Sequence, residues 1–214
     1  MSEQQQSLAD LQHIKQMMER SSRFISLSGL SGVAAGCCAL IGAWVAHDKI
    51  NCWVQGDCGE GVAIGDGVKM LNDLLWIATF TFLSAFITAF FFTYLRSKKN
   101  GIPIWGRATI RLFWNTTIPL LVGGIFIIRI MQLGSFELVA PACLLFYGLA
   151  LVNASKYTLG EVRYLGYGQL ALGIMNLWNI GYGLYFWGMG FGILHIIYGI
   201  VMWYKHERDN SSKM

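Results

Sequence analysis

The sequence predicts an all-α membrane protein: a bundle of six transmembrane helices, with both termini in the cytoplasm and a short amphipathic helix before the first span. Three observations support this fold class. Only 13% of the 214 residues are charged, whereas soluble domains carry about 25%. Hydrophobic residues make up 55% of the chain and are gathered in long runs. The lysines and arginines are distributed unequally among the gaps between those runs.

Six apolar stretches are long enough to cross a bilayer, for which a helix needs about 20 residues. The predicted spans are Phe24–Ala46, Leu71–Leu95, Leu112–Met131, Leu138–Ser155, Tyr164–Ile180 and Leu184–Tyr204. The fifth is the shortest, and a tight turn at Gly181-Tyr182-Gly183 is expected to join it to the sixth. Residues 1–23 then form a cytoplasmic segment, residues 24–205 the membrane domain and residues 206–214 a cytoplasmic tail.

The positive charges set the predicted orientation, because cytoplasmic loops of membrane proteins are enriched in lysine and arginine. Three of the sixteen, Lys49, Lys69 and Arg129, fall on one side of the predicted spans, and the other thirteen fall on the opposite side. The thirteen therefore mark the cytoplasmic face. They form no face suited to nucleic acid, and nucleic acid is excluded as a partner.

Two segments outside the predicted spans have recognisable patterns. Residues 7–20 place apolar residues at helical spacing, which predicts an amphipathic helix that either docks a cytoplasmic partner or lies on the inner leaflet. In the long outer loop, Cys52 and Cys58 enclose five residues, and on an oxidising face we expect a disulfide between them. The alternatives are two free thiols or a redox pair that exchanges.

The first span contains Gly29-Leu30-Ser31-Gly32, a spacing that intramembrane serine proteases use to present their nucleophile. His195 in the last span is expected at a similar depth, so it is the available base. However, Ser28, Gly32 and Gly36 are also spaced four residues apart, which is typical of a strip of small residues where two membrane helices touch. Helix packing explains the whole stretch, and we predict no catalytic residue here.

The fifth and sixth spans contain the polar residues of greatest interest. Gln169 and Asn176 share one face of the fifth, and His195 lies on the glycine-rich face of the sixth. We expect Asn176 and His195 to meet in an antiparallel hairpin and to hydrogen-bond directly or through one water. An ionisable residue inside a membrane is a candidate functional group. The favoured interpretation is nevertheless a neutral histidine that ties helices together.

Two further sets of residues are candidates outside the apolar core. Arg129 and Glu137 flank a short outer turn, where they either pair with each other or reach separately to the interface. On the inner side, the connection 153–169 contains Lys156, Tyr157, Glu161 and Arg163, which is the best candidate contact for a partner. The alternative for this segment is a tight turn with membrane-anchoring charges.

Two stretches resemble known sequences. "MMERSSRFISLSGLSG" (17–32) and "NASKYTLGEVRYLGYGQLALG" (153–173) resemble a group of uncharacterised small multi-pass inner-membrane proteins of Gram-negative bacteria. The resemblance implies a bacterial inner-membrane protein and supplies no activity or site residues.

The sequence has no phosphate-binding loop and no metal-ligand spacing, so we predict neither a cofactor nor a metal. The leading functional hypothesis is a non-enzymatic partner-binding or sensory membrane module. The partners considered are the lipid bilayer, a cytoplasmic protein and a second copy of the chain. The alternative is a small transporter or channel with a polar pathway along the fifth and sixth helices.

Overall fold

A computed structural model describes residues 28–55, 66–100 and 106–206 of the chain. Within these ranges the secondary structure is helical, and they contain no β-strand. The predicted amphipathic helix and Cys58 lie outside the described residues, so neither can be compared with the structure.

The described helices follow the predicted spans closely. They are α1 (Gly29–Gln55), α2 (Asp66–Asn100), α3 (Arg107–Gln132), a 3₁₀ turn (Phe136–Leu138), α4 (Val139–Ala154), α5 (Val162–Trp178), α6 (Gly183–Trp187), a π-helical segment (Gly188–Leu194) and α7 (His195–His206). The last three are continuous along the chain and are called the last helix below. α1 and α2 extend beyond the apolar stretches that predicted them, because polar residues outside the hydrocarbon can still continue a helix.

Five segments of the described part of the chain are long and apolar enough to cross a membrane: Gly29–Gln55, Lys69–Lys99, Ala108–Gln132, Phe136–Ala154 and Gly183–Lys205. α5 is the exception among the predicted spans. Its 17 residues extend about 26 Å, slightly less than the ~30 Å hydrocarbon core of a typical bilayer. The chain therefore has the character of a membrane protein, with five helices of full spanning length and a shorter sixth one within the same bundle.

α1 packs directly against the last helix, and the other helices are arranged on either side of this pair. α2 packs against α1, α1 against the last helix, the last helix against α4 and α5, and α4 against α3. Consecutive long helices run antiparallel: Lys49 at the end of α1 pairs with Asp73 at the start of α2, and Cys38 faces Thr88 further along. The core lies where α4, α5 and the last helix meet, with Leu144, Gln169 and Met202 fully buried.

A glycine seam joins α1 to the last helix. A Cβ atom added at Gly29 would lie 2.5 Å from the Gly199 carbonyl oxygen, and one at Gly36 would lie 2.7 Å from that of Gly192. Gly32 faces the backbone of His195 and Gly199 in the same way. The two backbones are therefore in direct contact, and the predicted packing role of Gly32 and Gly36 is confirmed.

Two local features shape α3: the motif that ends it and a proline within it. The helix ends in a Schellman motif, with Gly134 at φ 76°, the Gly134 amide donating to Met131 and the Ser135 amide donating to Ile130. Within α3, Pro119 has no N–H to offer the Asn115 carbonyl four residues earlier. That carbonyl accepts a 2.8 Å hydrogen bond from the Asn153 side-chain amide on α4. The carbonyl that Pro119 leaves without a partner in α3 therefore forms a contact with α4.

Candidate polar site

The polar site is centred on a carbonyl in the π-helical segment of the last helix. Gly188, Gly190 and Gly192 alternate through this segment and are all buried. Glycine has low α-helical propensity, and π-helical turns occur frequently at functional sites. A Cβ added at Gly190 would lie 2.5 Å from the Gln169 side-chain oxygen and 2.4 Å from a Leu144 methyl group. Only glycine allows α4 and α5 to approach this carbonyl so closely.

The Gly190 carbonyl oxygen accepts two side-chain hydrogen bonds. One comes from Nε2 of Gln169 on α5, at 2.8 Å. The other comes from Nδ1 of His195, at 3.0 Å. Gln169 and His195, two of the three predicted polar residues, therefore meet at the Gly190 carbonyl. The sequence predicts that they lie on facing helices, but it does not identify the acceptor between them.

The hydrogen bonds fix the tautomer of His195. A carbonyl oxygen only accepts, so Nδ1 must carry the proton, and in the neutral imidazole Nε2 is then an acceptor. The Tyr147 hydroxyl on α4 lies 2.8 Å from Nε2 and donates to it. The ring is also flanked by Tyr147 and Phe191, with centroids 5.5 and 6.1 Å from its own. Both ring nitrogens are thus occupied by intramolecular partners.

The predicted hydrogen bond between Asn176 and His195 is wrong. Asn176 donates to the Asn179 carbonyl at 3.2 Å, at the end of α5. Its oxygen lies 3.9 Å from where a Cβ of Gly183 would be. His195 is a further twelve residues along the last helix, roughly 18 Å from Gly183. The hairpin turn begins directly after α5, so Asn176 is level with the start of the last helix rather than its middle.

Sequence reasoning missed Tyr147 and Gly190. Tyr147 lies in the apolar run "LLFYGLALV" and was read as part of it. A tyrosine hydroxyl in the middle of a membrane helix needs a hydrogen-bond partner, and that requirement was the available signal. Gly190 contributes its backbone carbonyl, which no side-chain pattern reveals.

Nuclear magnetic resonance of ¹⁵N-labelled His195 tests the network. We expect a protonated Nδ1 and an unprotonated Nε2, and Tyr147→Phe should shift the Nε2 resonance because it removes the donor. Asn176→Leu is the matched control and should leave both nitrogen resonances unchanged. A response to Asn176→Leu without one to Tyr147→Phe would contradict the observed partners.

Ser31 and His195 form no catalytic pair. The Ser31 hydroxyl donates to the Ser28 carbonyl in its own first turn. α1 meets His195 through its backbone, 3.2 Å from an added Cβ at Gly32, while the imidazole is hydrogen-bonded to Tyr147 on α4. The Gly-x-Ser-Gly element is therefore part of the glycine seam.

The predicted partner contact lies at one end of the bundle, where α4, α5 and the last helix come together. Glu161 forms an ion pair with Lys205 of the last helix, and Nε of Arg163 lies 3.5 Å from the Ser155 hydroxyl. Thr158 is only 1% exposed and Ser155 only 4%. Lys156 and Arg163 are exposed and Tyr157 is half-buried. The connection is thus held on the bundle by buried residues while its cations face outward.

The remaining candidate residues lie at the opposite end. Arg129 donates to the Gln132 side chain at 3.3 Å, and it forms no ion pair with Glu137 in the described part of the chain, so the pair considered above does not form. Cys52 is disulfide-bonded; its predicted partner, Cys58, is outside the described ranges. Cys37, Cys38 and Cys143 are free.

No family model, curated protein or solved structure matches the chain. Across residues 28–55, 66–100 and 106–206, no three His, Cys, Asp or Glu side chains are grouped so that they could hold a metal ion.

Proposed function

We propose that the protein is a non-enzymatic bacterial inner-membrane protein that binds a cytoplasmic protein through the connection between α4 and α5. In this proposal all six long helices cross the bilayer, and both termini and the connection lie in the cytoplasm. The distribution of basic residues supports the orientation. α5 is the shortest of the six spans. It can still cross the bilayer because the membrane thins slightly around a short helix, or because flanking side chains reach to the interface.

One observation carries the proposed function: the Glu161–Lys205 ion pair holds the connection against the last helix while neighbouring side chains remain outward-facing. Lys156 and Arg163 are exposed, and Tyr164 is 75% exposed. A fixed surface needs little ordering when a partner binds. Arginine and tyrosine are also over-represented at protein interfaces. The partner that fits this surface is an acidic cytoplasmic protein segment.

The polar site supports a structural role for the core. Both nitrogens of His195 are hydrogen-bonded within the protein, as is the Ser31 hydroxyl. His195 therefore joins the last helix to α4, the Ser31 hydroxyl is bound within its own first turn, and neither is poised for proton transfer or nucleophilic attack. This favours a binding module over an intramembrane enzyme.

Charge reversal tests the proposed contact surface. Lys156→Glu combined with Arg163→Glu should reduce recovery of the cytoplasmic partner at least about ten-fold, since it places like charges opposite an acidic segment. Recovery is measured by cross-linking in intact membranes, purification in a mild detergent and rebinding of the purified partner.

The matched control is Lys98→Glu combined with Lys99→Glu. These two exposed cations end α2 on the same side of the bundle, and their reversal changes the net charge by the same amount. Partner recovery should remain at the wild-type level. Equal losses from the two double variants would mean that the charges act only on the membrane, and the proposed surface would be rejected.

A small transporter is a second candidate, favoured by two buried oxygen atoms on α5. The side-chain oxygens of Gln169 and Asn176 are buried and have no hydrogen-bond donor within the described structure. The two residues are seven positions apart and so lie on one face of the helix. Labelling of cysteines placed at these positions by a polar thiol reagent distinguishes a water-accessible pathway from a sealed core.

A further inference from the structure

A cleft of about 380 Å³ opens at the end of the bundle opposite the α4–α5 connection. Residues of α1, α2, the 3₁₀ turn, the start of α4 and the start of the last helix line it. The polar side-chain groups of this lining are the Thr81 hydroxyl, the Cys143 thiol, the Trp187 indole N–H and the Glu137 carboxylate, and its other side chains are apolar. Volumes of about 300–1,000 Å³ are typical of small-molecule sites.

Small side chains create this space. Gly42 of α1 packs directly on Thr81 of α2, and the neighbouring lining residues Ala46 and Ala78 leave room above that contact. The principal interface of α2 is with α1. Residues of α2 such as Leu75 and Ala78 therefore line the cleft while remaining exposed. In a membrane, this open side faces lipid.

Among the described residues that line the cleft, Glu137 has the one charged side chain. It is exposed, and neither the Lys49–Asp73 nor the Lys205–Glu161 ion pair includes it. It lies in the 3₁₀ turn between α3 and α4, where two segments long enough to cross a membrane meet. The ends of such segments lie near the bilayer surface. In a membrane, the apolar cleft thus has a carboxylate at its interfacial end.

The position of the cleft favours a narrow apolar occupant. Residues of α1, α2, the 3₁₀ turn, α4 and the last helix surround it. A flexible hydrocarbon chain is narrow and can follow the gap between α2 and α4.

We propose that the cleft binds one acyl chain of a bilayer lipid whose headgroup carries a primary ammonium, with that ammonium donating to Glu137. An acyl chain in the bilayer is already out of water, so it prefers the cleft only where van der Waals packing against the walls is better than packing among other lipid chains. A primary ammonium has N–H groups that form charge-assisted hydrogen bonds with a carboxylate. A choline headgroup has the same charge and no N–H donor. Selectivity for ethanolamine over choline is therefore the signature of this site.

Native mass spectrometry of the full chain, released from bilayers containing equal amounts of ethanolamine- and choline-headed phospholipid, tests the proposal. We expect one retained lipid, with about five-fold preference for the ethanolamine headgroup. Glu137→Gln should abolish the preference. Ala78→Phe should reduce the retained lipid at least about ten-fold, because its ring occupies the space of the chain.

Two matched controls separate the site from general effects. Asp48→Asn removes an exposed carboxylate at the same end of the bundle, and Ala171→Phe adds a ring at an exposed alanine of α5, both outside the cleft lining. Neither should change lipid retention. Equal retention of both headgroups by the wild type, or an unchanged preference in Glu137→Gln, would overturn the proposal.

A second measurement tests the same cleft without Ala78→Phe, so it does not depend on whether that variant folds. In a chain carrying Cys37→Ala and Cys38→Ala, the remaining free thiol among the described residues is Cys143, which lines the cleft. Its reaction with an apolar maleimide should be about five-fold slower in ethanolamine-lipid vesicles than in choline-lipid vesicles. Equal rates would overturn the proposal. The cleft and the α4–α5 connection lie at opposite ends, so either proposal can fail without the other.

Discussion

Replacing Gly199 with leucine is expected to lower the free energy of unfolding by about 3 kcal/mol, the upper part of the range for overpacking. A Cβ at this position would lie 2.5 Å from the Gly29 carbonyl oxygen and 2.6 Å from the Val33 amide nitrogen. Both are backbone atoms of α1 and cannot rotate away. The last helix must therefore move from α1, which breaks the contact along the whole glycine seam.

The measurement is reversible unfolding in mixed detergent and sodium dodecyl sulfate, followed by circular dichroism. Gly124→Leu is the control, because Gly124 lies within α3 and an added Cβ would meet no atom within 4 Å. Glycine loses more conformational entropy on folding than other residues do. Gly124→Leu should therefore be as stable as the wild type or about 0.5–1 kcal/mol more stable. If Gly199→Leu behaved like Gly124→Leu, α1 and the last helix would not be in backbone contact.

Replacing Gly190 with alanine is expected to cost about 2 kcal/mol and to disturb the polar site at the same time. The new methyl group would lie 2.4 Å from a side-chain atom of Leu144 and 2.5 Å from the Gln169 oxygen. Both side chains are fully buried, so neither has free volume to move into. The displaced Gln169 amide would also lose its hydrogen bond to the Gly190 carbonyl.

The same unfolding assay measures the loss, with Gly124→Ala as the control that should be slightly stabilising. The Nδ1 resonance of labelled His195 is the second readout, because that nitrogen shares the Gly190 carbonyl with Gln169. Gly190→Ala should shift this resonance, and Gly124→Ala should not. A destabilised protein with an unchanged His195 resonance would show that the carbonyl does not link the two side chains.

The helices could be predicted from the sequence because length and apolarity are local properties. The apolar stretch Leu112–Met131 lies wholly within α3, and Leu184–Tyr204 lies within the last helix. The π-helical segment could not be predicted, since a widened turn depends on what packs around it. α5 has 17 residues, and its short length was visible in the sequence as the shortest apolar stretch.

The candidate site could be predicted only in part. Small residues indicate which faces of membrane helices touch, and this placed Gln169 and His195 in the protein interior. Which residues of two neighbouring helices lie at the same depth depends on the length of the turn that connects the helices. The position of that turn pairs Asn176 with Gly183 instead of His195. Tyr147 was missed because an aromatic ring raises the hydropathy of a stretch while its hydroxyl supplies a hydrogen bond that hydropathy does not record.

The contact between α1 and the last helix has a consequence for biosynthesis. During synthesis α1 is made well before the helix that covers its glycines, because α2 to α5 lie between them in the chain. Until that helix is made, the α1 side of the seam faces lipid or another protein, and Gln169 lacks the carbonyl to which it donates. The seam is therefore completed only after the last helix has been synthesised, and a product truncated before it would carry an uncovered face that quality-control proteases can recognise.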